Sequence, residues 1–370
     1  MVFSIEEIMK YNDIRRRTRC VKIKDKYIGG SSDILIQSMT NTDTLDEIAT
    51  INQIIALEKA GCDIVRLTIP TVESAATISA VKRAGITIPL VADIHFDYKI
   101  ALECARLGVD KIRINPGNIG EDWKVKEVTE ACAANEIPIR IGVNGGSLEK
   151  HILQKYAAPT AEALAESAFY HVELLEKFGF YNTVISVKSS NVRNMIEANR
   201  IIASKCDYPI HLGVTEAGDS YSGLIKSSVG IGALLCDGIG DTIRVSLTAD
   251  PVAEIKAGKE LLSSVGFYNK GSIQVVSCPT CGRTKINLIE LSNRFKEAIE
   301  GIDTLGKDIK VALMGCVVNG PGEARECDVG VAGGKGEAVL FRHGQIVGKI
   351  NESDVIDTLV YEVKKIIEEK

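Results

Sequence analysis

The strongest constraint on this chain is an alternation of short apolar strands with amphipathic helices, repeated eight times between about residues 34 and 265. The strands read Ile34–Met39, Asp63–Ile69, Ile88–Ile94, Lys111–Pro116, Ile137–Val143, Thr183–Ser189, Tyr208–Thr215 and Asp241–Leu247. Helical patterns such as Asp46–Ala60, Thr71–Ala84, Tyr98–Leu107, Ala161–Phe178, Val192–Lys205 and Pro251–Val265 lie between them. Gly61, Gly85, Gly108 and Gly179 stand where such helices take a left-handed cap. Eight β-then-α units over roughly 230 residues have the length of a TIM barrel. A doubly wound sheet usually has fewer strands. No dinucleotide glycine fingerprint follows any of these, and Gly230-Ile231-Gly232 lacks the third glycine. The expected fold is an α/β TIM (β/α)8 barrel over residues 1–265, followed by a smaller α+β domain over residues 266–370.

Two segments decorate the barrel. Cys20–Ile28, with Lys24-Asp25-Lys26 at its middle, reads as a small hairpin covering the closed end. The longest connection follows the fifth strand and carries Gly145-Gly146-Ser147 and His151–Tyr156; long loops at the carboxyl ends of barrel strands cover substrate. The periodicity breaks at Gly266–Gly271. Beyond it, strands Ile273–Ser277, Ile309–Met314, Val329–Val331, Ala338–Phe341 and Ile346–Lys349 are expected, with helices Asn287–Glu300 and Asp354–Glu369.

Side chains two residues apart on a barrel strand face the same way. Four strands place an arginine between apolar neighbours, namely Arg66, Arg113, Arg140 and Arg244, and Thr68, Asn115, Asn144 and Ser246 follow with the same parity. Asp93 and His95, Ser186 and Lys188, and His211 and Thr215 come from the third, sixth and seventh strands. Barrel interiors are normally filled by Val, Ile and Leu. Four arginines and a lysine there need negative partners, because an unpaired buried charge costs kilocalories. Asp93 and Glu216 cannot balance so much positive charge, so the missing anion is read as the ligand, and the guanidinium fork suits phosphate.

The second chemical signal lies in the C-terminal region. Cys278-Pro279-Thr280-Cys281 holds two thiols on one turn, and Gly315-Cys316 supplies a third from a Gly- and Pro-rich segment. Glu323 stands seven residues past Cys316 and offers an oxygen ligand. Three sulfurs and a weaker oxygen describe an iron–sulfur cluster with one reactive corner better than a sealed zinc. An all-thiolate zinc set using Cys327 as the fourth ligand is the alternative that spacing leaves open. Cys20, Cys62, Cys104, Cys132, Cys206 and Cys236 are each isolated and read as small buried hydrophobes rather than a disulfide framework.

Taken together these segments resemble the bacterial 4-hydroxy-3-methylbut-2-enyl diphosphate synthases of the methylerythritol phosphate isoprenoid route, in their two-domain form. The resemblance rests on Gln37-Ser38-Met39-Thr40-Asn41-Thr42, Val91–His95, Arg113–Asn118, Arg140–Asn144, His211–Gly218, Gly240–Leu247, Cys278–Cys281 and Gly315–Glu323, in that order along nearly the whole chain. It implies a [4Fe–4S] cluster on Cys278, Cys281, Cys316 and Glu323, with Glu323 the replaceable ligand. It implies the substrate 2-C-methyl-D-erythritol 2,4-cyclodiphosphate, its diphosphate on Arg66, Arg113, Arg140, Lys188 and Ser246. Glu216 would protonate the departing hydroxyl, and Asp93, His95, Asn115 and Asn144 would shape the pocket. Electrons would come from ferredoxin or flavodoxin, and the enzyme would be a homodimer whose cluster domain closes the partner's barrel.

A net charge of −5 with mixed signs argues against a nucleic-acid partner. No apolar run of about 18 residues and no signal-like N-terminus is seen, so a soluble cytoplasmic protein is expected. A redox sensor whose barrel binds a phosphorylated signal is the non-enzymatic alternative. The absence of a Cys-x-x-x-Cys-x-x-Cys run disfavours S-adenosylmethionine cleavage.

Overall fold

The computed structural model describes residues 14–268, 270–317, 322 and 325–369. Its backbone falls into two compact units, the first ending at Phe267 and the second beginning at Tyr268.

In the first unit, β1 (Cys20–Ile23) and β2 (Lys26–Gly29) form an antiparallel hairpin. Eight parallel strands follow: β3 (Leu35–Met39), β4 (Ile64–Thr68), β5 (Leu90–Asp93), β6 (Lys111–Ile114), β7 (Ile139–Asn144), β8 (Thr183–Lys188), β9 (His211–Leu212) and β10 (Thr242–Ile243). Their order is β8-β7-β6-β5-β4-β3-β10-β9, and an isolated parallel bridge between Ile185 and Ile210 joins the two ends. The sheet is therefore a barrel. The last two strands are shorter than their apolar runs suggest. Their flanks continue the pairing through single bonds, Asp241 N to Ile210 O and Arg244 N to Leu212 O, rather than a regular ladder.

Each strand buries both faces, which is why the runs read as nearly continuous apolar stretches. Outward residues such as Ile36, Val65, Leu67, Ile112, Ile114, Ile141, Ile185 and Val187 are buried under the surrounding helices. Those helices start where a short polar side chain accepts a backbone N–H, as Asp46, Asp97, Thr160, Asn191, Asp219 and Asp250 do. Gly61, Gly85, Gly108 and Gly179 close four of them with φ between +72° and +84°. Three aspartates staple the strand starts: Asp63, Asp110 and Asp241 accept from Ile36 N, Leu90 N and Ile210 N at 2.8–2.9 Å. The helices Asp122–Ala134 and Ser220–Cys236 complete the ring.

The register stacks inward residues in tiers of four taken from alternate strands. Ile64, Lys111, Val184 and Thr242 form a low tier, with Gln37, Val91, Arg140 and His211 above it. Arg66, Arg113, Ser186 and Arg244 come next, and then Met39, Asp93, Gly142 and Gly213. Thr68, Asn115, Lys188 and Ser246 approach the mouth. Below all of these, the hairpin inserts Val21, Ile23 and Ile28 against Leu35, Ile64, Val91 and Val184, as expected of a plug at the closed end.

The second unit is a five-stranded sheet of β11 (Ser272–Ser277), β12 (Asp308–Met314), β13 (Val329–Gly333), β14 (Glu337–Arg342) and β15 (Gln345–Asn351), in that order. The first two pairings are parallel and the last two antiparallel. The helices Leu288–Ile299 and Val355–Glu368 cover one face, packing Leu291, Phe295, Leu359 and Val363 on Ile309, Val311, Val329 and Val331. Ala312, Met314, Cys327, Ala332 and Phe341 form a second small cluster. Among the other cysteines, Cys62, Cys104 and Cys132 are buried as expected, and burial pushes each thiol up to about 12. Cys20 and Cys236 are instead exposed, because the hairpin edge and a helix end leave them uncovered.

Truncating a plug residue should leave a cavity at the barrel's base. Ile28→Ala is expected to cost about 2–4 kcal/mol, read as a lower denaturation midpoint with an unchanged slope. An unshifted midpoint would show that the hairpin does not hold the barrel.

Candidate active site

The upper tiers enclose a cavity of about 250 Å³ lined by Arg66, Asp93, His95, Arg113, Arg140, Gly142, Asn144, Ser186, Lys188, Thr215, Glu216, Arg244 and Ser246. All four arginines read from strand parity reach this one space. Five cationic side chains face two carboxylates there.

Asp93 organises the cationic side. Its Oδ1 lies 3.0 Å from Arg113 Nη1 and its Oδ2 3.6 Å from Arg66 Nε. Burial pushes the Asp93 carboxyl up, but Arg66 and Arg113, with His95 and Arg140 behind them, bring it down to about 2. Arg66 also points Nε and Nη2 at Met39 Sδ, at 3.1 and 2.8 Å. Burial, offset in part by Asp93, lowers Arg66 to about 10, so it stays charged at neutral pH. Arg244 is held by Glu254 through a fork, Nε to Oε2 and Nη2 to Oε1 at 3.0 Å each. Glu254 also accepts from Ser38 Oγ and Leu247 N. It sits on the apolar stripe of helix Pro251–Ser264, beside Ile255 and Gly258, and sequence reasoning missed it. An acid on a core-facing helix position was the available signal.

Among the described residues Lys188 and Arg140 have no such ion-pair partner. Burial first, and then the surrounding arginines, pushes both well below their ordinary values. A polyanion in the cavity reverses that penalty.

Two glycines make room for this crowd. A methyl on Gly142 would collide with the Arg113 guanidinium, whose Nη2 donates to Gly142 O at 3.3 Å. A methyl on Gly213 would stand 2.9 Å from both Lys188 Nζ and Arg244 O. Glu216 follows β9 at the cavity wall with φ +52°, a left-handed conformation that costs a non-glycine residue free energy.

Asn115 is the exception among the expected pocket residues and does not line the cavity. Its Oδ1 accepts from Gly117 N and its Nδ2 donates to Ser147 Oγ, so its carboxamide caps the turn that Pro116 opens. Ser147 Oγ in turn accepts from Asn144 N at 3.3 Å. Asn115 thus bears on the cavity through the loop that carries Asn144.

In the second unit, Cys278 and Cys281 follow β11, and Cys316 follows the adjacent parallel strand β12 at the same end. Gly315 N points at Cys278 Sγ at 3.2 Å, and Lys285 N donates to Gly315 O at 2.9 Å, tying the two loops together. The exposed Cys281 thiol is drawn down by the backbone N–H of Arg283, while burial pushes the Cys327 thiol up. Cys327 packs in the small apolar cluster that Cys278 also touches. Among the described residues no three His, Cys, Asp or Glu side chains converge closely enough to hold a metal ion. Glu323 lies outside the described residues.

A parallel barrel whose mouth gathers five cationic side chains defines a protein that binds a small, multiply charged anion. The chain belongs to the GcpE family: residues 18–259 match the GcpE TIM-barrel domain and residues 274–365 the GcpE protein C-terminal domain. It is 56% identical over 354 residues to a Clostridium perfringens protein named 4-hydroxy-3-methylbut-2-en-1-yl diphosphate synthase (flavodoxin), covering 96% of this chain and 99% of that one. A Geobacter sulfurreducens protein of the same name is 53% identical, with 96% and 100% covered. Among solved structures, a Plasmodium falciparum HPPK-DHPS superposes with a TM-score of 0.50 at 12% identity, covering 76% of this chain and 52% of that one. That likeness concerns the fold alone.

Gly142→Ala should displace Arg113 and weaken binding of inorganic diphosphate about tenfold or more by calorimetry, the scale of one charge-assisted contact. Unchanged affinity would sink the packing argument. Asp93 gives a pH test. Its folded value is depressed from about 3.9 when unfolded. Its stabilisation is therefore present above about pH 4 and lost as pH falls toward 2, amounting to about 2 kcal/mol. The stability gap between wild type and Asp93→Asn should narrow between pH 5 and pH 3. A constant gap would refute the assignment.

Proposed function

We propose that this chain carries out the reaction for which its relatives are named, converting 2-C-methyl-D-erythritol 2,4-cyclodiphosphate to 4-hydroxy-3-methylbut-2-enyl diphosphate in isoprenoid precursor synthesis. The C2–O bond to phosphate and the C3–OH bond break while C2 and C3 form a double bond. Two electrons and one proton enter, water leaves, and the freed phosphate oxygen stays on the product's diphosphate as an anion. The observation that carries this reading is the cavity's surplus of cations, which suits a diphosphate and little else of that size.

Arg66, Arg113, Arg140 and Lys188, with the Ser246 hydroxyl, grip the diphosphate, and Asp93 fixes the first two guanidinium groups. Glu216, on the cavity wall, delivers the proton to the leaving hydroxyl. His95 and Asn144 complete the wall, and Asn115 holds the Asn144 loop in place. A [4Fe–4S] cluster on Cys278, Cys281, Cys316 and Glu323 supplies electrons one at a time when bound. The loops tied through Gly315 suit that thiol set. Flavodoxin, which the relatives' names carry, or ferredoxin delivers those electrons. The functional form is a homodimer in which the cluster-bearing unit of one chain closes the barrel of the other. Among the described residues every cysteine is a free thiol, which suits a reducing cytoplasm.

Anaerobically purified protein should contain iron and acid-labile sulfide in equal amounts and turn over the cyclic diphosphate with reduced flavodoxin. Glu216→Gln should keep substrate affinity and lose at least about a hundredfold in kcat, the scale of a general acid. Zinc in place of iron, or full turnover by Glu216→Gln, would overturn these assignments.

A further inference from the structure

Beneath the cavity the barrel interior carries polar side chains and, among the described residues, no counter-charge of its own. Gln37, Lys111 and His211 are wholly buried, and Arg140 is 1% exposed. Lys111 Nζ, Arg140 Nε and Nη1, both carboxamide atoms of Gln37 and His211 Nε2 have no hydrogen-bond partner among the described residues. His211 Nδ1 is engaged with Thr242 Oγ1 at 2.8 Å. These side chains occupy the two adjacent tiers below Arg66, Arg113, Ser186 and Arg244. Neither tier contains a carboxylate. The acids just above are already engaged, Asp93 by Arg66 and Arg113 and Glu254 by Arg244.

A guanidinium keeps its charge at any working pH. At least one fixed positive charge therefore stands in these tiers whether or not substrate is bound. Folded proteins satisfy such groups with protein, water or an ion, because each unsatisfied one costs about 1–3 kcal/mol and a charged one more. Donors dominate among these unpartnered atoms: an ammonium, two guanidinium nitrogens and a carboxamide NH2 stand in the same two tiers as a single carbonyl oxygen, that of Gln37, and one imidazole nitrogen. Water donates as readily as it accepts and leaves the charge in place. A monoatomic anion accepts from every side.

We propose that the two lower tiers enclose one small inorganic anion of the halide class, held by Lys111 and Arg140 and by the Gln37 amide. The site rests on the barrel geometry and is independent of the reaction proposed above. Arg140 belongs to both sites, since it also lines the cavity. The lower anion holds its inner edge and leaves the rest of the guanidinium for the substrate. Val21, Ile23 and Ile28 of the hairpin pack against Leu35, Ile64, Val91 and Val184 at the closed end of the barrel, which shields the lower tiers from bulk water. It also keeps Lys111 protonated, where burial and then Arg140 and Arg66 would otherwise push its ammonium well below the ordinary value.

The test uses the full chain purified and crystallised in bromide, with anomalous diffraction, and thermal unfolding in halide against gluconate at fixed ionic strength. An anomalous peak on the barrel axis beside Lys111 and Arg140 is expected, with a Tm raised by halide. Lys111→Met should lose both the peak and the halide-dependent part of Tm. Should that variant fail to fold, Gln37→Leu should show a lower peak and a smaller halide effect. Wild-type crystals with ordered water and no anomalous signal in the chamber would overturn the proposal, as would an undiminished halide effect in the variants.

Discussion

The structure depends on one buried carboxylate. Asp93 takes Arg113 on one oxygen and Arg66 on the other, and without it two guanidinium groups would face each other with nothing between them. Their mutual repulsion in a dry interior would exceed the stability of most domains' individual contacts. With Asp93 in place, the repulsion becomes a directed surplus. The groups that Asp93 and Glu254 do not satisfy, above all Lys188 and Arg140, are left requiring a polyanion. Binding and folding are thus coupled through the same charges.

Much of this was readable in advance. The eightfold alternation gave the barrel because parallel strands need crossover helices, and the strict two-residue parity of strands placed Arg66, Arg113, Arg140 and Arg244 on its axis. Parity failed at Asn115, whose position is inward but whose carboxamide is committed to the turn before Pro116. An Asn-Pro-Gly run is a helix-start signal, and local capping outcompeted the pocket. Lys111 shares parity with Arg113, yet a charged residue at a strand's first position reads as surface until the hairpin plug is seen beneath it. Glu254 was hidden differently: it approaches from a helix, and only the closed sheet brings that helix's first turn against Arg244.

The C-terminal unit was legible in its elements and less so in its chemistry. Strand order puts Cys278 and Cys316 at the same end of neighbouring strands, a consequence of parallel pairing between β11 and β12. The buried, raised Cys327 thiol differs physically from the exposed, lowered thiol of Cys281, a distinction that depends on packing and that spacing alone does not reveal.

The hairpin at the base has a consequence for traffic. With Val21, Ile23 and Ile28 wedged under the sheet, the route inward among the described residues is through the rim where Glu216 and Ser246 stand. Occupancy is then sequential: whatever lies deep must arrive before the substrate and leave after its product, first in and last out. Such a vessel records its loading history.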